Sequence, residues 1–113
     1  MTARLTSHML VGALVRRVQG EGGFAMVLHK GEAISGAIVV QIVERGRNIG
    51  LFERVTGMSG EMTLVPTGPK NINDNSELTQ YIERRTATDP DIWFLELDVA
   101  DGERLAAETL CTG

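Results

Sequence analysis

Apolar positions along this chain change period several times, and each change marks an element. From Ser7 to Gln19, Leu10, Val11, Leu14, Val15 and Val18 recur at helical spacing and fill one stripe, which predicts an amphipathic helix. Thr6 or Ser7 is placed to cap its start and Gly20 to close its end. Phe24 to His29 alternates instead, with Phe24, Met26 and Leu28 on one face of a strand. Gly36 to Glu44 is rich in β-branched residues and reads as the strongest strand. Both of its faces are apolar: Ala37, Val39 and Val43 on one, Ile38, Val40 and Ile42 on the other. Such a strand belongs at the centre of a sheet.

R-G-R-N reads as a hairpin loop leading into a strand from Asn48 to Val55. G-M-S-G then turns the chain into a short strand over Met62 to Val65, so that an antiparallel meander is expected. Pro66 to Asn75 is rich in turn formers and is expected to cross the surface. Asp74 with Glu77 resembles a capping box, and the helix that follows puts Leu78, Tyr81, Ile82 and Arg85 on one face and ends near Thr86 or Ala87. Asp89 precedes Pro90, which biases it to extended backbone and keeps the helix from resuming. From Asp91 to Val99, Trp93, Leu95, Leu97 and Val99 share a strand face; Ile92 and Phe94 lie opposite, and that face turns polar at Glu96 and Asp98. A short helix from Glu103 to Leu110 closes the order α-β-β-β-β-α-β-α. The expectation is one α+β domain with an antiparallel sheet of about five strands and two main helices.

Composition narrows the classes. A chain of 113 residues with 42% hydrophobic content suits a single domain. The one cysteine, Cys111, makes no internal disulfide, which points to a reducing, cytoplasmic setting. The N-terminal apolar run has only Arg4 before it and Arg16-Arg17 after it, unlike a secretory signal, and no run approaches the ~20 apolar residues of a membrane span. Residues 1–56 carry a net +3 and residues 57–113 a net −7, but one fold is expected to mix these charges over its surface.

Several blocks together are familiar in form: L-V-R-R-V-Q-G-E-G-G, V-L-H-K-G-E-A-I-S-G-A-I-V-V, L-F-E-R-V, Y-I-E-R-R, D-P-D-I-W-F-L-E-L-D and G-E-R-L-A-A-E. They resemble a family of short alphaproteobacterial proteins known as domain of unknown function number 1491, over nearly the whole chain, and the D-P-D-I-W block is the most specific part. The family pattern has K-G-D where this chain has Lys30-Gly31-Glu32, one methylene longer, which counts against a tight metal or turn role there. The resemblance implies a small bacterial cytosolic protein and carries no catalytic or binding residue.

No candidate chemistry is well supported by the residues. Two histidines, His8 and His29, and a near-terminal cysteine do not make a nucleophilic triad, and no G-x-S-x-G elbow is present. His29 and Glu32 lack a third metal ligand, and Asp98, Asp101 and Glu103 do not match a calcium loop, so no metal site and no cofactor are expected. G-E-G-G follows a helix, whereas phosphate loops precede one. Nucleic acid is not the expected partner, because net charge is −4 and Arg16-Arg17 and Arg84-Arg85 are accounted for as helix ends. Two readings remain. One is an interaction or regulatory module, expected to be homodimeric, whose partner surface is the Ile38, Val40, Ile42 face if both helices cover the other. The alternative is a small-molecule pocket or minor enzyme near Trp93 and Tyr81, gated by Asp89, Asp91 and Arg85. For Trp93 itself, the favoured reading is a core anchor.

Overall fold

The computed structural model describes residues 5–111, and Arg4 lies outside them. Three helices and five strands follow the expected order: α1 (Ser7–Gly20), β1 (Phe24–His29), β2 (Ile38–Glu44), β3 (Arg47–Thr56), β4 (Met62–Thr67), α2 (Asn75–Thr88), β5 (Trp93–Asp98) and α3 (Gly102–Leu110). The Thr6 hydroxyl caps α1 by accepting from Met9 N at 3.2 Å. Asp74 caps α2 by accepting from Ser76 N at 2.9 Å and Glu77 N at 3.2 Å. Gly20 is the last residue of α1 and does not close it; Gly22 takes the left-handed φ instead. Arg45 and Gly46 both have positive φ, the backbone of a tight two-residue hairpin between β2 and β3.

The sheet is mixed, not wholly antiparallel. Its order is β1-β5-β2-β3-β4, and β2 pairs with β5 in parallel while every other pairing is antiparallel. Only β2-β3-β4 forms the expected meander. β5 inserts between β1 and β2 because it and β2 are the two strands with apolar residues on both faces, and neighbouring positions at the centre bury both. The return through α2 from β4 at one edge makes the parallel pairing geometrically available.

Each sheet face has its own core. On one, Ile38, Val40, Ile42, Trp93, Leu95 and Leu97 pack under the stripe of α1 and under α3. On the other, Val39, Leu51, Ile92 and Phe94 pack beneath Leu78 of α2, flanked by Tyr81 and Ile82. Ile38, Val40 and Ile42 are therefore interior, 1%, 0% and 2% exposed, and offer nothing to a partner. The condition that would have bared them, both helices on one face, does not arise, since α2 takes one face and α1 with α3 the other.

The loop between β1 and β2 interlocks with the start of β5. Trp93 Nε1 donates to the Glu32 carbonyl at 2.8 Å, and Glu32 N donates to the Asp91 carbonyl at 2.9 Å. Ser7 N and His8 N at the start of α1 donate to the Ile34 and Ala33 carbonyls, and Ser7 Oγ donates to Gly36 O at 2.7 Å. Gly31 and Gly36 make this approach possible: a Cβ on either would overlap the Asp91 carbonyl oxygen, and at Gly31 it would also lie 2.6 Å from the Trp93 ring.

On the surface, Glu108 of α3 accepts from Arg17 of α1 and from Arg104 Nη1 at 3.2 Å. These two guanidinium groups, Arg17 foremost, hold the Glu108 carboxyl below its ordinary value of 4.5.

Three outcomes follow from this packing. Gly36→Ala should cost about 2–3 kcal/mol through overpacking against backbone, whereas Gly20→Ala, with open space at its Cβ, should be neutral or stabilise by up to about 1 kcal/mol; thermal denaturation by circular dichroism compares them. Ser7→Ala should cost about 1–3 kcal/mol by leaving the buried Gly36 carbonyl unpaired. Because the folded-state pKa of Glu108 is depressed, its contribution is complete above the unfolded value and is lost as pH falls through the folded one. The melting temperature should thus decline in acid below about 4.5 with a component that Glu108→Gln removes, and a Glu108→Gln titration superimposable on the parent's would exclude it.

Candidate functional site

The residues of the expected pocket fold into two separate structures. Trp93 is buried on the α1/α3 side of the sheet, and Tyr81 lies on the α2 side. The five-stranded sheet stands between them, so they line no common cavity. Asp89 ends α2 at φ −134°, ψ 88°, and its Oδ1 accepts from Asp91 N at 3.1 Å, which shapes the turn around Pro90. Asp91 contributes its carbonyl to the loop interlock while its side chain is exposed. The acidic stretch beside Trp93 is thus a capped turn whose backbone, rather than its carboxylates, makes the buried contacts.

Tyr81 and Arg85, one helical turn apart, form a polar layer that seats α2 on the sheet. Arg85 donates to both Glu53 carboxylate oxygens, at 3.0 and 3.1 Å, and to Tyr81 Oη at 2.7 Å. Tyr81 Oη also shares a 2.6 Å hydrogen bond with Thr67 Oγ1. The Glu53 carboxylate raises the Arg85 guanidinium beyond its already high range, so this charge is permanent. With its donors committed to Glu53 and Tyr81, Arg85 is a fastener between helix and sheet. Glu53 and Thr67 complete the layer; sequence spacing does not identify them, because they come from β3 and β4.

His29 and Glu32, both considered for chemistry, have structural work. His29 Nδ1–H donates to the Ile92 carbonyl at 2.7 Å. The Glu32 carboxylate accepts from Ile34 N and from Ser35 N at 3.2 Å, so the longer side chain does serve the turn, against expectation. Burial raises the Cys111 thiol above its ordinary value, which disfavours the nucleophilic thiolate. Among the described residues no three His, Cys, Asp or Glu side chains are grouped to hold a metal ion, and no helix is long and apolar enough to cross a membrane.

What the tertiary structure does expose is the β1 edge. Phe24, Met26, Val27 and Leu28 are 56%, 45%, 42% and 39% exposed. Leu5, which precedes α1, Met9 of α1 and Ile34 in the loop after β1 are exposed too. β1 pairs only with β5, so its outer backbone edge is unpaired among the described residues. It carries no charge and no proline, the usual devices that keep an edge strand from pairing; its single irregularity is a register shift between Val27 and His29. The period-2 pattern marked Phe24, Met26 and Leu28 as one face, but only the strand order places that face and edge at the margin.

Comparison with known proteins agrees with this architecture. The model of a family described as protein of unknown function (DUF1491) matches residues 5–107. The chain is similar to a DUF1491 family protein from Caulobacter crescentus CB15, solved by NMR, at 34% identity over 92% of this chain and 94% of that one, with a TM-score of 0.76. A crystal structure of a DUF1491 family protein from the same organism matches at 35% identity over 90% and 94%, also at 0.76. Protein Atu0922 from A. tumefaciens, a solution structure, is 31% identical over 97% and 94%, at 0.71. No curated protein matches. With the family pattern spanning almost every element described and the same fold in each of these structures, the chain belongs to the DUF1491 family.

Proposed function

We propose that this chain is a protein-interaction module of the bacterial cytosol that acts as a homodimer joined along β1. The observation that carries the reading is the uncharged, exposed apolar strand at an unpaired sheet edge. Its occupant is a second copy, for a reason of symmetry and charge. F-A-M-V-L-H holds no carboxylate, lysine or arginine, so antiparallel self-pairing sets no like charges opposite one another. A two-fold axis normal to the sheet brings like-facing residues together, pairing Met26 with Met26 or Val27 with Val27. The two five-stranded sheets then become continuous. An interface this small belongs to the weak class of association, with a micromolar dissociation constant. The lone, partly buried cysteine is in keeping with a reducing compartment.

Size-exclusion chromatography with light scattering should find a concentration-dependent dimer. Val27→Lys should weaken it about tenfold or more, by setting like charges at the junction, and should leave the helical circular dichroism intact, since Val27 is 42% exposed. Amide exchange over Phe24–His29 should be slow in concentrated parent protein and fast in the variant. A parent that stays monomeric at millimolar concentration sinks the reading.

A further inference from the structure

We infer that the sheet face beside β1, on the α2 side, docks a basic amphipathic helix of a partner protein. The inference rests on the interaction-module reading but not on dimerisation, because it uses the face of the strands and not their edge. α2 covers only one end of this face, over Val39, Leu51, Ile92 and Phe94. At the other end Phe24 and Met26 of β1 are exposed, and Glu96 and Asp98 of β5 are half-buried. There Phe24 is paired with Asp98 and Met26 with Glu96, so apolar and acidic side chains stand side by side in two rows. Phe24 and Met26 remain 56% and 45% exposed.

Charge and geometry select the occupant. Neither Glu96 nor Asp98 forms an ion pair among the described residues, although Arg17, Arg85 and Arg104 all do. Asp98 also borders a shallow depression at the strand ends with Glu21 and Glu44, where Arg45 is the one cation. The surface is therefore apolar on the β1 row and net acidic beside it. Phe24 and Met26 stand ~7 Å apart along the strand, close to the ~6 Å between helix positions i and i+4. A helix with apolar residues at that spacing and Lys or Arg flanking them would meet both rows at once. It would extend the helical layer that α2 begins, completing the cover of this face as α1 and α3 complete the other.

The probe is a fluorescein-labelled amphipathic helix of about 18 residues, Leu on one face and Lys flanking it, with a second peptide carrying Glu for Lys. Binding is read by anisotropy on the full chain and on its Val27→Lys form. The Lys peptide should bind both forms with a micromolar dissociation constant, and added salt should weaken it. Glu96→Gln with Asp98→Asn should weaken binding about tenfold or more, as should Phe24→Ser. The same loss of charge at exposed sites elsewhere, Glu61→Gln with Glu103→Gln, should change it less than about twofold. The inference is overturned by no binding, by equal binding of the Glu peptide, or by equal losses from the two charge-removed forms. Failure of dimerisation would show separately in light scattering and would leave this result standing.

Discussion

Close backbone contact between the 30–37 loop and the Asp91–Trp93 segment is the constraint on which the rest of the fold depends. Only because Gly31 and Gly36 lack side chains can the loop lie on the Asp91 carbonyl. That approach brings the Glu32 carbonyl to the Trp93 indole and the Ala33 and Ile34 carbonyls to the first amides of α1. One loop thereby sets the start of α1, the end of β1 and the entry of β5. Buried polar groups are costly when unpaired, so these hydrogen bonds hold the elements in one arrangement even where each adds little net stability.

From that junction the layering follows. β5 enters between β1 and β2, Trp93 turns its ring toward α1, and Ile92 and Phe94 turn to the opposite core. The helix stripes then divide: α1 and α3 share one face, and α2 is fastened to the other by Leu78 and the Arg85–Glu53–Tyr81 layer. The side of the sheet under two helices is covered broadly. The side under α2 alone is covered at one end, and this imbalance leaves the β1 margin exposed. His29 and Glu32 are spent on holding the 30–37 loop, and Arg85 on seating α2.

Much of this was legible in the residues. Helical and strand periods located every element within a few positions, since burial of one face imposes a period that the sequence must carry. The partition of Trp93, Leu95, Leu97 and Val99 from Ile92 and Phe94 was visible for the same reason. So was the Asp74 cap, whose bonds run to amides two and three residues away. Local geometry alone decides such features.

Strand order was not legible, and with it went the site. Whether β1 neighbours β2 or β5 depends on contacts between residues some 70 positions apart, and period-2 patterns are blind to them. The same alternation that marked Ile38, Val40 and Ile42 as a candidate surface fits their true place in the core, because a pattern shows that a face is apolar and not what covers it. By itself, the sequence determined the elements, their faces, the N-terminal caps of α1 and α2, and their family. Tertiary structure alone decided which apolar face was covered, which strand became the edge, and that Trp93 and Tyr81 stand on opposite sides of one sheet, since each of these is a relation between distant segments that no local energy specifies.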